Sequence, residues 1–181
     1  MDRYIDIKKK INDKNNLFII KKLYETQNLS DDELKILIDL PRADDLFAYA
    51  ILRRKEYYGT DVYTRGLIEF TNYCKNNCYY CGLRASNNHV ERYRLAPEEI
   101  YACADEGYAL GFRTFVLQGG EDPYFSDDKI CEIVQTLTQN HPDCAVTLSI
   151  GEKSKESYKA YYQAGARRFL LRHETADEAH Y

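Results

Sequence analysis

No apolar run in this 181-residue chain approaches the roughly 20 residues that span a bilayer, so no membrane partner is expected. The opening Met1-Asp2-Arg3-Tyr4 begins neither a signal peptide nor an obvious transit peptide, and a cytoplasmic protein with reduced cysteines is the expectation. A strong charge of one sign is also missing: the net charge is −4. Lysines crowd the N-terminal segment (Lys8, Lys9, Lys10, Lys14, Lys21, Lys22), but Asp2, Asp6, Asp13 and Glu25 interleave with them. That mixture predicts a solvated helix face rather than a nucleic-acid-binding tail, hence no nucleic-acid partner. Cysteine is scarce, with six in the chain, and three of these are scattered, which argues against a disulfide framework. What remains is 44% hydrophobic and 30% charged, enough for one core of ordinary density.

The other three cysteines are bunched. Cys74, Cys78 and Cys81 form a C-x3-C-x2-C run, Cys-Lys-Asn-Asn-Cys-Tyr-Tyr-Cys, just after a strand-like segment. On composition alone that spacing is roughly a one-in-a-thousand coincidence. Three thiolates can hold three irons of a [4Fe–4S] cluster and leave the fourth open to a ligand that is not protein. A structural zinc site is the nearest competitor; it needs a fourth ligand, which His89 could supply, but its spacing does not follow the usual paired-ligand pattern. Cys103, Cys131 and Cys144 each fall in or beside a predicted helix or strand, where small buried hydrophobes are the expected role.

Residues 1–59 read as an N-terminal helical extension. Leu17, Ile20, Leu23 and Tyr24 recur at helical spacing, and Ser30 to Glu33 fits a capping box ahead of Leu34, Leu37 and Ile38. After Pro41, Asp44 or Asp45 opens a helix carrying Leu46, Ala50 and Leu52 to Gly59. From residue 60 to 181 the pattern turns to strand–helix alternation. Strands are predicted at Val62–Phe70, Phe115–Leu117, Ala145–Ile150 and Phe169–Leu171, with helices opened by Pro97, Ser126 and Ser154 between them. Such alternation implies parallel βαβ units, about four of them.

Each predicted strand ends in a polar or glycine-rich motif: the cysteine loop, Gln118-Gly119-Gly120-Glu121-Asp122, Gly151-Glu152, and Arg172-His173-Glu174. In a β/α barrel the active site assembles at that face. A ligand for an open iron needs an amine and a carboxylate, and S-adenosylmethionine offers both. Gly119 and Gly120 let backbone carbonyls approach an amino group. Arg172 suits a carboxylate. Glu121, Glu152 or Glu174 can accept bonds from ribose hydroxyls or the ammonium, and Tyr80 can lie beside adenine. Plainer roles stand beside these: a tight turn for Gly119-Gly120, core packing for Tyr80, and a mutual ion pair for Arg172 and Glu174.

The cysteine loop, with an aromatic residue before its last cysteine, and Gly119-Gly120-Glu121 resemble the radical S-adenosylmethionine superfamily. The stretches Gly66–Cys74, Cys81–Arg84, Glu91–Leu95, Gln118–Tyr124 and Leu170–Thr175 are similar to the [FeFe]-hydrogenase maturases of the HydE family, with the biotin synthase and methylornithine synthase families as neighbours. HydE often has Ser where Gly119 stands. The resemblance covers nearly all of residues 45–181. It implies the N-terminal half of a (β/α)8 TIM-type barrel preceded by the α-helical extension. It also implies a [4Fe–4S] cluster on Cys74, Cys78 and Cys81, and S-adenosylmethionine held near Glu152, Arg172 and Glu174. A one-electron reductant and other hydrogenase maturation proteins are the implied partners, and reductive cleavage to a 5′-deoxyadenosyl radical the implied chemistry. The alternatives are a biotin synthase-like or methylornithine synthase-like radical S-adenosylmethionine enzyme, or a non-catalytic iron–sulfur-binding fragment. Four strands are half of eight, so an unpaired fourth strand and exposed apolar inner faces are expected, with poor solubility or dimerisation as consequences.

Overall fold

Ser30 shows how closely local chemistry sets the first elements. Its hydroxyl accepts the Glu33 amide at 3.3 Å while the Glu33 carboxylate accepts the Ser30 amide at 2.8 Å, closing the capping box. The computed structural model describes residues 14–174, 176 and 177, and the chain divides into two compact units between Tyr63 and Thr64. In the first, α1 (Lys14–Thr26), α2 (Asp31–Ile38) and α3 (Asp44–Tyr58) enclose a small core of Ile19, Ile20 and Leu37, with Leu23, Leu46 and Tyr49 against it. The breaks expected before the Ser30 capping box and at Pro41 fall at 27–30 and 39–43, between these three helices. Its first 13 residues, including Lys8, Lys9 and Lys10, lie outside the described residues. Of the three apolar residues behind the capping box only Leu37 is buried, because one eight-residue helix has a single face to offer the core.

The second unit is a four-stranded parallel sheet in the order β1-β2-β3-β4: β1 (Gly66–Thr71), β2 (Thr114–Gly119), β3 (Ala145–Ser149) and β4 (Ala166–Phe169). The connections carry α4 (Pro97–Ala109), α5 (Asp127–Asn140) and α6 (Lys155–Ala164). This is the arrangement of half a (β/α)8 barrel. Alternation along the strands sends Ile68 and Phe70, Phe115 and Leu117, and Val146 and Leu148 into the core with the helices. There they meet Ile100 and Ala104 of α4, Ile130, Ile133, Val134 and Leu137 of α5, and Tyr161 of α6. In register on the other face stand Leu67, Val116 and Thr147, then Glu69, Gln118 and Ser149. Leu67 is 55% exposed there, as an open inner face requires.

Two strands differ from their predicted spans. The first begins at Gly66, where Phe115 becomes its partner; Val62 is 83% exposed and unpaired in the sheet. The fourth begins at Ala166, immediately after the positive-φ Gly165, and ends at Phe169. Leu170 adds one more amide bond to the Leu148 carbonyl at 2.8 Å, but Leu170 and Leu171 are exposed. The apolar triplet Phe169-Leu170-Leu171 thus marks the end of the strand rather than its body. Cys131 and Cys144 pack partly buried against the core, and burial pushes both thiols up. Cys103 is exposed, contrary to expectation, since the face of α4 that turns inward is set by Ile100 and Ala104.

Asp127, the first residue of α5, ties that helix to α6. It accepts Ser157 Oγ at 2.6 Å and the Tyr161 hydroxyl. These bonds, Ser157 first, hold its carboxyl below the ordinary range, while burial and the carboxylate push the Tyr161 phenol up. Replacement Asp127→Asn is expected to cost about 1 kcal/mol at pH 7, the value of charge-assisted bonds discounted for solvent screening at an exposed aspartate. A depressed carboxyl stabilises above its unfolded value near about 4 and loses that contribution as pH falls through the folded value. Urea unfolding should therefore show the deficit at pH 7 and its disappearance toward pH 3.

Candidate functional site

At Thr71 the first strand ends and the chain enters a long loop that returns to the same place. Leu95 N donates to Phe70 O at 2.8 Å, and Thr71 and Arg94 form an antiparallel bridge. Asn72 completes the neck: its side-chain amide donates to Glu91 O at 2.7 Å and accepts from Tyr93 N at 2.8 Å. The loop so closed carries Cys74, Cys78 and Cys81, all three free and partly buried. Inside it, Cys81 N donates to Cys78 O at 3.1 Å and Ala85 N to Asn76 O at 2.8 Å. Tyr80 is 50% exposed, so it is not a core residue.

No three His, Cys, Asp or Glu side chains converge on one point among the described residues, as they would around a single zinc ion. His89 is exposed, its backbone amide turned to Asn87 Oδ1 at 3.1 Å. A four-iron cluster makes a different demand, because each thiolate binds its own iron across a wider body. Three partly buried thiols on one tethered loop, with no fourth cysteine in it, fit that group.

The glycine pair is explained by close approach rather than by turn geometry, since neither residue has a positive φ. A Cβ on Gly120 would lie 2.2 Å from Tyr73 O and 2.7 Å from Cys74 Cβ; one on Gly119 would lie 2.7 Å from Thr71 Cγ2. The end of β2 is thus pressed directly against the first cysteine. Glu121 then straps the loop down: Lys75 N donates to its carbonyl at 3.0 Å, Asn76 Nδ2 to Oε1 at 2.9 Å, and Lys75 Nζ lies 3.2 Å from Oε2. Gly151, at φ +78°, leaves room for the Glu121 side chain, which a Cβ there would strike at 2.1 Å.

Asp122 anchors the same junction from below. Its carboxylate, 1% exposed, accepts Arg94 Nε at 2.6 Å and Nη2 at 2.9 Å, Thr71 Oγ1 at 2.8 Å and Tyr124 N at 3.0 Å. Burial alone would raise this carboxyl; the bonds from Arg94, Thr71 and Tyr124 outweigh it and hold it low. Arg94 in turn lies over the Tyr73 ring, 3.9 Å from its centre.

Of the other predicted site residues, Glu152, Arg172 and Glu174 stand exposed just beyond the ends of β3 and β4. Arg172 does not pair with Glu174; it donates to Gln118 Oε1, whose amide donates to Glu69 Oε1 at 2.9 Å, a chain of polar contacts across the inner face. Sequence reasoning missed Asn72, Asn76, Arg92, Arg94 and Asp122 as builders of this site. The available signal was the pairing of an Arg-x-Arg segment with an acid buried after a Gly-Gly pair.

The sequence profile of the Radical SAM superfamily matches residues 68–181. The chain is 48% identical over 132 residues to the [FeFe] hydrogenase maturase subunit HydE of Thermotoga maritima, covering 73% of this chain and 37% of that protein. It is 32% identical over 166 residues to 3-methylornithine synthase of Methanosarcina acetivorans, covering 89% and 47%. Among solved structures, the crystal structure of a methylornithine synthase superposes with a TM-score of 0.76 at 29% identity, covering 89% of this chain and 49% of that one. The chain therefore spans less than half the length of the relatives named here.

Proposed function

Because the chain belongs to the radical SAM superfamily, a superfamily of enzymes, we propose that its cysteine loop carries a [4Fe–4S] cluster serving a reaction of the hydrogenase-maturase HydE type. Cys74, Cys78 and Cys81 each hold one iron. A cluster held by these three thiolates would supply the one-electron reduction that cleaves S-adenosylmethionine. The chain's own residues bind and orient. Gly119 and Gly120 present backbone carbonyls to the ammonium. Arg172, steadied by Gln118, offers its planar fork to the carboxylate. Glu152 and Glu174 take ribose hydroxyls, and Tyr80 lies beside the adenine. Glu121, with both carboxylate oxygens engaged by Lys75 and Asn76, acts first through the loop it holds.

The observation that carries this reading is the contact of Gly120 with Cys74, which joins the metal-binding loop to the amine-binding turn. Support for the HydE type over a methylornithine synthase or biotin synthase type comes from the 48% identity to a HydE protein, against 32% to a methylornithine synthase and 25% to a biotin synthase of Staphylococcus aureus. A one-electron reductant and the other hydrogenase maturation proteins are the partners that follow, and a cytoplasmic setting goes with them; no helix among the described residues is long and apolar enough to cross a membrane.

Anaerobic reconstitution with iron and sulfide, reduction, and an assay for 5′-deoxyadenosine test the reading. The expected result is a loaded cluster and release of that product from S-adenosylmethionine. A fully loaded chain that forms none would favour a non-catalytic iron–sulfur role, and stoichiometric zinc without iron would replace the cluster altogether.

A further inference from the structure

Arg92 enters neither the cysteine run nor the cofactor-binding positions, yet its guanidinium meets four backbone carbonyls of the loop. Nη1 donates to Asn72 O and to Leu83 O at 2.9 Å; Nη2 donates to Arg84 O at 2.8 Å and Asn87 O at 3.3 Å. Asn72 precedes the first cysteine by two residues, and Leu83 and Arg84 follow the last by two and three. One planar group thus grips the loop on both sides of its metal-binding run. A rigid fork of N–H donors suits two pairs of carbonyls, which a compact ammonium cannot span.

The second observation is electrostatic. Arg94, two residues on, is neutralised by Asp122. Among the described residues no carboxylate forms a salt bridge with Arg92, and its permanent charge there meets carbonyl dipoles. That charge sits within the loop that must gather three thiolates, whose mutual repulsion opposes their assembly.

We propose that Arg92 is the positioning residue of the cysteine loop, fixing both flanks of the metal-binding run by their carbonyls and offsetting the thiolates' charge. This rests on the reading of the loop as a cluster site, so its test has one arm that needs no cluster. In the metal-free chain, Arg92→Gln is expected to speed amide exchange across residues 73–87 about tenfold, the effect of losing charge-assisted bonds, while amides of β2 and β3 stay as protected as before. In the reconstituted chain the same variant should bind less iron, and the cluster it does hold should have a more negative midpoint potential. Arg92→Lys should keep the potential near that of the unsubstituted chain yet leave the loop exchanging as fast as the glutamine variant.

Unchanged loop exchange in Arg92→Gln overturns the proposal, as does an unchanged midpoint potential. Loss of protection spread evenly through β2 and β3 also overturns it, by making Arg92 a residue of the fold. Failure of the unsubstituted chain to take up iron would instead sink the cluster reading, while the exchange arm still judges the grip of Arg92.

Discussion

Substitution of Gly120 by alanine is expected to unseat the cysteine loop and destabilise the second unit by about 3 kcal/mol, the upper end of what overpacking costs. The added methyl meets Tyr73 O at 2.2 Å, the Tyr73 carbonyl carbon at 2.9 Å and Cys74 Cβ at 2.7 Å. Two of these three atoms are backbone, so no rotamer change relieves the clash. Either β2 withdraws or the loop lifts, and in both cases the first cysteine moves relative to the other two. Reconstituted Gly120→Ala should retain little iron and melt well below the parent chain. Gly82→Ala is the control. It lies in the same loop directly after Cys81, but nothing stands within 4 Å of its added Cβ and its φ is not positive. Equal iron loading by the two variants would show that close approach at Gly120 is unimportant.

Arg94→Ala should produce a somewhat smaller loss, for a different reason. Removing the guanidinium leaves the Asp122 carboxylate buried with only the Thr71 hydroxyl and one backbone amide as donors. Stranding the buried carboxylate costs about 2 kcal/mol, the loss of a fully buried pair discounted for the solvent that reaches Arg94. The sign with pH follows from the opposing influences on Asp122. In the parent chain its carboxyl is held low, so its contribution is present above the unfolded value and is lost on acidification. In the variant the burial that Arg94 had overcome prevails and the carboxyl rises, so protonation favours the folded state. The gap between the two chains should therefore narrow as pH falls from 7 toward 4.5 in urea titrations. Adding Asp122→Asn to Arg94→Ala should recover part of the loss at pH 7, because the stranded charge is gone. A gap that widens in acid would contradict this account of the junction.

Local chemistry made much of this fold readable. Ser30, Ser126 and Ser154 each cap the helix that follows them, and Gly165 ends α6. Those features depend on residues a few positions apart. The ends of β1 and β4 depend instead on where a neighbouring strand offers a partner, which is why Val62–Arg65 and Leu170-Leu171 read as strand without forming one. The same division runs through the site. Three cysteines seven residues apart end to end announce themselves by spacing. Arg92 and Arg94 act on carbonyls and a carboxylate that only the returning loop brings near, and no periodicity records such a return. Gly120 was legible as a glycine with a purpose, but its purpose as a seat for Cys74 needed the third dimension.

The neck of the cysteine loop bears on which part of the loop can change in length. Because Phe70, Thr71 and Asn72 pair with residues 93–95, the chain leaves and re-enters the sheet at neighbouring points. The cost of closing a loop grows only with the logarithm of its length, about 0.6 kcal/mol for each doubling. Residues 88–90, past the last carbonyl that Arg92 holds, can thus lengthen, shorten or change without disturbing the strand that launches the loop, provided the neck stays tied. The loop behaves as a graft with a fixed stem, and only the short stretch beyond its metal-binding run has room to change in length.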